Sequence, residues 1–264
     1  MTDLPHLRLE RPSAGVALIT LDHPDLRNAM SEEMTGSWVR AIDELADDRS
    51  LRALVVTGAG SAFCSGGDTS WIASEPDASV DHLRTRMMAF YRAWLSVRRL
   101  EVPTIAAVNG AAIGAGLCLA LACDLRYAAR GARLGAPFVK LGMHPGMAAT
   151  HLLPGVVGEA HARDLLLTGR VVDADEALRL GLVSRVHEPE TFLDDVLETA
   201  AGIAATAPIA SRLTKAALAD GGHRDLESCL QFEAMAQPIT LATEDLQEGV
   251  RASREKRAPV FRGR

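Results

Sequence analysis

The chain has 264 residues, 48% hydrophobic and 23% charged, an ordinary globular composition with room for one large core or a core plus a smaller appendage. A net charge of −6 without a basic stripe argues against a nucleic-acid surface. The longest apolar run, Ala111 to Ala122, is too short to span a bilayer, and four cysteines (Cys64, Cys118, Cys123, Cys229) lack metal-ligand spacing, so no membrane, no metal and a reducing, cytoplasmic setting are expected.

No signal or transit pattern precedes the first strand-like segment. Val16 to Leu21 is a β-rich run ended by the His23-Pro24 turn. Ser31 before Glu32 and Glu33 predicts a helix N-cap, with the helix running to about Asp47 and Met34, Val39, Ile42 and Leu45 near helical spacing. Leu51 to Thr57 reads as a buried strand stopped by Gly58-Ala59-Gly60. The segment SAFCSGGDTSW supplies a second glycine-rich turn, and the polar residues through Asp81 read as a mobile loop. A helix is predicted from His82 to Arg99, with Leu83, Met87, Phe90, Trp94 and Val97 on one face. Pro103 to Val108 is again a strand. It leads into VNGAAIGAGLCLALACD, Val108 to Asp124, the stretch around which the chain is organised.

Within that stretch Asn109-Gly110 is a turn, Gly114 and Gly116 permit close approach, and Ala115 to Ala122 reads as a helix buried on every side. The start of this helix either packs tightly against a sheet or presents free N–H groups to a developing negative charge. Asp124 to Ala128 and Ala132 to Leu134 look like further strands. After Pro145-Gly146 the chain turns helical in pieces; Asp173 and Glu176 form a D-x-x-E capping box and Gly181 closes that helix. Leu182 to Val186 is the last strand candidate. From about Glu190 the pattern is helical, broken by Pro208, Gly221-Gly222 and Pro238. Strands alternating with helices, then helices alone, imply an α/β core with a helical C-terminal part.

If the strands Leu51 to Thr57 and Pro103 to Val108 are neighbours, their glycine turns lie side by side. Gly67 and Ala115 then aim backbone N–H groups at one oxygen, the geometry of an oxyanion hole, in which one donor is worth roughly 3–4 kcal/mol of transition-state stabilisation. Neither turn matches a G-x-x-x-x-G-K-[ST] phosphate loop, a G-x-G-x-x-G dinucleotide turn or a G-x-S-x-G nucleophile elbow.

Taken together and in order, HPDLRNAM, AFCSGGD, PTIAAVNGAAIGAGLCLALACDLRYAA, LGMHPGMAATHLLPGVVG, LLLTGRVVDADEALRLGLVSRV and DLQEGVRASREKRAPVF resemble the crotonase superfamily, the enoyl-CoA hydratase/isomerase family, over nearly the whole chain. The resemblance implies a crotonase-like spiral of ββα units over residues 1–195 and a helical C-terminal trimerisation region over 196–264, hence a homotrimer or a dimer of trimers. It implies an acyl-CoA thioester as ligand, with coenzyme A part of the substrate and no separate cofactor. Gly67 and Ala115 are then the hole for the thioester oxygen; alanine stands where glycine is usual and keeps its N–H if its backbone angles suit a residue with Cβ. The CoA is expected along Leu26, Arg27, Ser65, Gly67, Asp68 and Thr69, and Gly114, Phe138 and Leu141 complete the expected substrate contacts. Arg27 reads either as a phosphate contact or as a solvated surface arginine.

Hydratases of this family use two glutamates to position and split a water. The matching positions here hold Cys118 and Phe138. Hydration needs a base and a proton donor within hydrogen-bond reach, so the standard reaction is expected to be severely impaired. What remains is enolate chemistry with another acid or base (isomerisation, decarboxylation or C–C cleavage) or a non-catalytic acyl-CoA-binding role. His144, in GMHPGM, is the candidate acid or base, against a structural turn histidine. Asp68 reads better as a structural or CoA-side residue, Cys118 as an inert core thiol, and Glu75 and Asp77 as solvated loop acids. Trp38 and Trp94 read as core; Trp71 covers the acyl pocket or a subunit contact. The basic residues from Arg251 to Arg264 read as a charged tail.

Overall fold

The computed structural model describes residues 3–219 and 225–264, so the expected Gly221-Gly222 break lies outside the described residues. In chain order the elements are β1 (Leu7–Ser13), β2 (Val16–Leu21), α1 (Glu32–Asp47), β3 (Ala53–Gly58), β4 (Ala62–Cys64), α2 (Thr69–Ile72), α3 (Val80–Trp94), β5 (Thr104–Val108), β6 (Ala111–Ile113), α4 (Ala115–Ala122), β7 (Leu125–Ala129), β8 (Arg133–Gly135), α5 (Ala149–Thr168), β9 (Val171–Asp173), α6 (Ala174–Arg179), β10 (Arg185–His187), α7 (Phe192–Ala204), α8 (Pro208–Leu218), α9 (Leu226–Leu241) and α10 (Glu244–Glu255). Two sheets result, ordered β1-β2-β3-β5-β7-β10 and β4-β6-β8-β9. Three times the chain lays one strand in the larger sheet, one short strand in the smaller sheet and then helix: β3-β4, β5-β6 and β7-β8.

The larger sheet is buried on both faces, which is why its strands read as unbroken apolar runs rather than alternations. Ala17, Ile19, Leu54, Val56, Ala106 and Val108 face the main core. Their neighbours Val16, Leu18, Val55, Ile105 and Ala107 face a second core closed by Phe192, Val196 and Ala200 of α7. On the main-core side α1 begins at Ser31, whose hydroxyl accepts the Met34 N–H at 3.2 Å. Its Trp38 stacks on Trp94 of α3 at 5.1 Å between ring centroids, both fully buried, as expected for core tryptophans.

Several boundaries differ from the sequence reading, each for a local reason. The polar stretch after the second glycine turn is not simply a loop: Asp68 and Ser79 cap α2 and α3 through their side chains, and α3 starts at Val80. The predicted run to Arg99 leaves α-geometry at Leu95 and ends in a 3-10 turn, Leu95–Arg99. After Gly181 (φ 73°), Leu182 and Val183 are buried in the core as a turn, so strand pairing starts only at Arg185. Asp173 caps α6, accepting the Glu176 N–H at 2.8 Å, but the Glu176 carboxylate turns to Arg170, so only half of the capping box forms. The expected break at Pro208 falls between α7 and α8, and Pro208 itself opens the first turn of α8. Pro238, by contrast, lies inside α9 and does not break it. No described helix is long and apolar enough to cross a membrane.

Candidate active site

The smaller sheet sets the site. Strands β3 and β5 are parallel neighbours, but neither leads straight into the turns of interest; β4 and β6 intervene and pair parallel with Cys64 opposite Ala112. Beyond the paired residues, the turn Gly66-Gly67 runs alongside the start of α4. The approach is close: a Cβ placed on Gly66 would lie 2.8 Å from the Ile113 carbonyl oxygen and 3.4 Å from the Ala115 nitrogen. Two asparagine amides, Asn28 buried and Asn109 half-buried, clasp the turns that feed these strands. Asn28 donates to the Ala59 and Ala62 carbonyls at 2.9 and 2.8 Å, and Asn109 accepts the Gly58 N–H at 3.1 Å while donating to Gly60. The sequence reading takes Asn109-Gly110 only as a turn and does not single out Asn28, although the αL conformation of Asn28 (φ 56°) is one that Asn tolerates better than most residues.

Each residue of the Gly114-Ala115-Gly116 step has its own constraint. Gly114 adopts φ 57°, ψ −119°, a region that disfavours any Cβ. A Cβ on Gly116 would collide with the Cys64 carbonyl oxygen. Ala115 has neither restriction: it is absent from the positive-φ residues and is the first residue of α4, so its methyl is accommodated. Its N–H and that of Gly67 have no protein acceptor among the described residues. One is a helix N-terminal amide, where the backbone dipoles favour negative charge.

Around this pair the side chains are mostly apolar. The Phe138 ring edge lies 3.7 Å from where a Gly114 Cβ would be, and Phe90 of α3 approaches Gly67. Cys118, one turn into α4, is fully buried and donates its thiol to the Gly146 carbonyl at 3.6 Å. Burial pushes that thiol up to about 12, so it is protonated at neutral pH. His144 is exposed on the loop before α5, with Nδ1 held 2.8 Å from the Pro145 carbonyl. That contact requires a proton on Nδ1 and leaves Nε2 as the basic nitrogen of the neutral ring.

The residues expected along the CoA come together at one edge. Ser65 donates its N–H to the Arg27 carbonyl (3.0 Å) and its hydroxyl to that of Leu26 (3.3 Å), joining the turn after β2 to the turn after β4. Leu26, Arg27 and Thr69 are exposed, and so is Leu141, at the end of the turn that carries Phe138. Asp68 is the α2 N-cap, accepting the Ser70 N–H and hydroxyl at 2.8 and 2.6 Å; these bonds hold its carboxyl below the usual range. Glu75 is paired with His82 (2.6 Å) and Arg86 (3.6 Å). Arg86 also lies 3.8 Å over the Trp71 ring, which is tilted against Phe90 at 5.1 Å between centroids. Two roomy cavities, about 650 and 530 Å³, lie elsewhere, along α8; neither is lined by Gly67 or Ala115.

A sequence model described as Enoyl-CoA hydratase/isomerase matches residues 11–264. The chain is 36% identical over 247 residues to the crotonyl-CoA hydratase of Syntrophomonas wolfei, covering 93% of this chain and 94% of the relative. It is 35% identical over 256 residues, 97% of each chain, to the short-chain-enoyl-CoA hydratase of Clostridium acetobutylicum. The crystal structure of an enoyl-CoA hydratase from Bacillus anthracis matches with a TM-score of 0.92 at 33% identity, over 98% of this chain and 100% of that one.

Proposed function

Because the chain belongs to the enoyl-CoA hydratase/isomerase family and has its crotonase fold, we propose that it binds an acyl-CoA thioester and stabilises the enolate of that thioester with the N–H groups of Gly67 and Ala115. The observation that carries this reading is the pair of main-chain amides without protein acceptors, on the turn after β4 and at the start of α4, where Gly66 closely approaches the Ala115 nitrogen. In a water-poor site such amides act on charge as it develops on the thioester oxygen, without reorganising. The CoA runs along Leu26, Arg27, Ser65, Asp68 and Thr69 in this reading, and Gly114, Phe138 and Leu141 contact the acyl side.

The reaction we infer is an enolate-based step other than two-glutamate hydration. A protonated thiol and a phenyl ring at positions 118 and 138 offer no base for water. Incubation with crotonyl-CoA, following loss of the enoyl-thioester absorbance with CoA binding measured in parallel, tests this. The expected result is binding with hydration about 10²–10⁴-fold below that of a two-glutamate hydratase. Rapid hydration overturns the assignment of Cys118 and Phe138. The same two replacements favour a second reading, an acyl-CoA-binding protein without turnover, distinguished by the absence of any α-carbon chemistry in a bound thioester. Self-association through the region from residue 196 onward belongs to the same proposal. Leu226, Leu230, Met235, Ile239 and Leu241, exposed on α9 of the single chain, support it.

A further inference from the structure

Helix α3 crosses both halves of the site with consecutive residues. Phe90 approaches Gly67, and Tyr91 lies against the loop that receives the Cys118 thiol. A Cβ placed on Gly146 would be 2.5 Å from the Tyr91 hydroxyl oxygen and 3.0 Å from the ring carbon that bears it. Gly146 therefore touches both groups: its Cα side meets the phenol and its carbonyl accepts the thiol. Cys118 in turn sits on the first turn of α4, whose opening amide is that of Ala115. The Tyr91 hydroxyl is thus beside the position where a hydratase carries its first carboxylate.

Most of the other titratable groups nearby are committed, and His144 lies exposed on the loop before α5. Cys118 is bonded to Gly146, Asp68 caps α2, Glu75 is paired with His82 and Arg86, and His144 Nδ1 is held by Pro145. Tyr91 is half-buried, packs by its ring edge on Phe90, and its hydroxyl makes no hydrogen bond to any described residue. Burial raises its phenol above the ordinary tyrosine value and the neighbouring Cys118 adds to the shift, so the proton is present at neutral pH.

We propose that Tyr91 is the proton donor to the α-carbon of the bound thioester enolate, in place of the carboxylates absent from positions 118 and 138. This rests on the reading of Gly67 and Ala115 as the oxygen-binding pair. In the step, the Tyr91 O–H bond breaks and its electron pair stays on the phenolate oxygen. The enolate C=C pair forms the new α-C–H bond, the thioester carbonyl is restored, and the phenolate regains a proton from water. The reverse step, with phenolate as base, removes the same α-hydrogen.

The test is α-hydrogen exchange of butyryl-CoA in D₂O, with butyryl-CoA binding measured separately, for the wild type and Tyr91→Phe. The variant keeps the ring and removes a hydroxyl with no protein partner, so it should retain the wild-type melting temperature. The wild type should exchange one of the two α-hydrogens, at a rate that rises with pH from 7 to 10 as phenolate forms. Tyr91→Phe should bind butyryl-CoA within twofold of wild type, exchange about 10²–10⁴-fold more slowly and lose the rising pH limb. Equal exchange in the two proteins overturns the role of Tyr91 and leaves the amide pair standing. Wild-type binding without exchange also overturns it. No butyryl-CoA binding by the wild type sinks the site reading and the proposal with it.

Discussion

Ala115 is the residue at which the site can be probed most cleanly. Proline is tolerated in the first turn of a helix and carries a ring carbon where the amide hydrogen was, so Ala115→Pro removes the donor without breaking α4. Its enolate-dependent exchange should fall about 10²–10³-fold, equivalent to roughly 3–4 kcal/mol, with CoA binding retained; an unchanged rate would remove Ala115 from the hole. The cysteines offer a second test. Cys64, Cys118 and Cys123 are buried, with thiols pushed up to about 12, whereas Cys229 is half-buried. Ellman's reagent at neutral pH should titrate one thiol per native chain and four after denaturation. The sign of the pH effect follows from the same shifts. Between about pH 9 and 12 the unfolded chain loses thiol protons that the folded chain keeps, so the native state loses roughly 1 kcal/mol per pH unit for each of the three. Below pH 9 their contribution is complete, and denaturant midpoints measured from pH 8 to 11 should show the decline.

At the scale of elements, α4 makes an asymmetric prediction about three consecutive small residues. Gly116→Ala drives a methyl into the Cys64 carbonyl and should cost 1–3 kcal/mol or more in a denaturant titration, roughly the cost of overpacking a core. Ala115→Gly should change stability by less than about 1 kcal/mol. A reversal of that order would mean that the β4–α4 contact is wrong. The sequence already displayed α4, because a run that is apolar on all sides has no place except the interior. It displayed β2 and β3 for the same reason. What it withheld was β4 and β6: three residues carry no readable period, and their pairing, which brings the turn at Gly66 against the start of α4, is not a property of either strand alone. Tyr91 was hidden differently. The helical stripe through Phe90 and Trp94 passed beside it, and only the approach of the loop at Gly146 gives its hydroxyl a neighbourhood. The two asparagine clasps were equally invisible, since an Asn beside a turn reads as turn chemistry until its buried acceptors are seen.

For the whole molecule, the attachment of the C-terminal helices to the sheet depends on a few polar contacts. Lys215 of α8 reaches the Asp124 carboxylate at 2.8 Å and the Val102 carbonyl at 2.7 Å, while Asp124 also accepts the N–H and hydroxyl of Thr104. Lys215→Met leaves that acid without its cation. It should lower the melting temperature and expose α8 to limited proteolysis before the sheet; a variant as protease-resistant as wild type would show that the apolar contacts suffice. Farther along, Asp245 accepts the N–H groups of Arg262 and Gly263 at 2.7 and 2.8 Å, so the end of the chain is tied back to the start of α10. The main-chain origin of the two amides at Gly67 and Ala115 has a consequence for descent. Every residue type except proline carries such an amide, so a full substitution scan at position 115 should show a gradient with side-chain size and one abrupt failure. Positions 118 and 138, where two-glutamate hydratases carry their carboxylates, should behave as switches. A lineage built this way can exchange one reaction for another without passing through an ancestor that has lost its hold on the thioester.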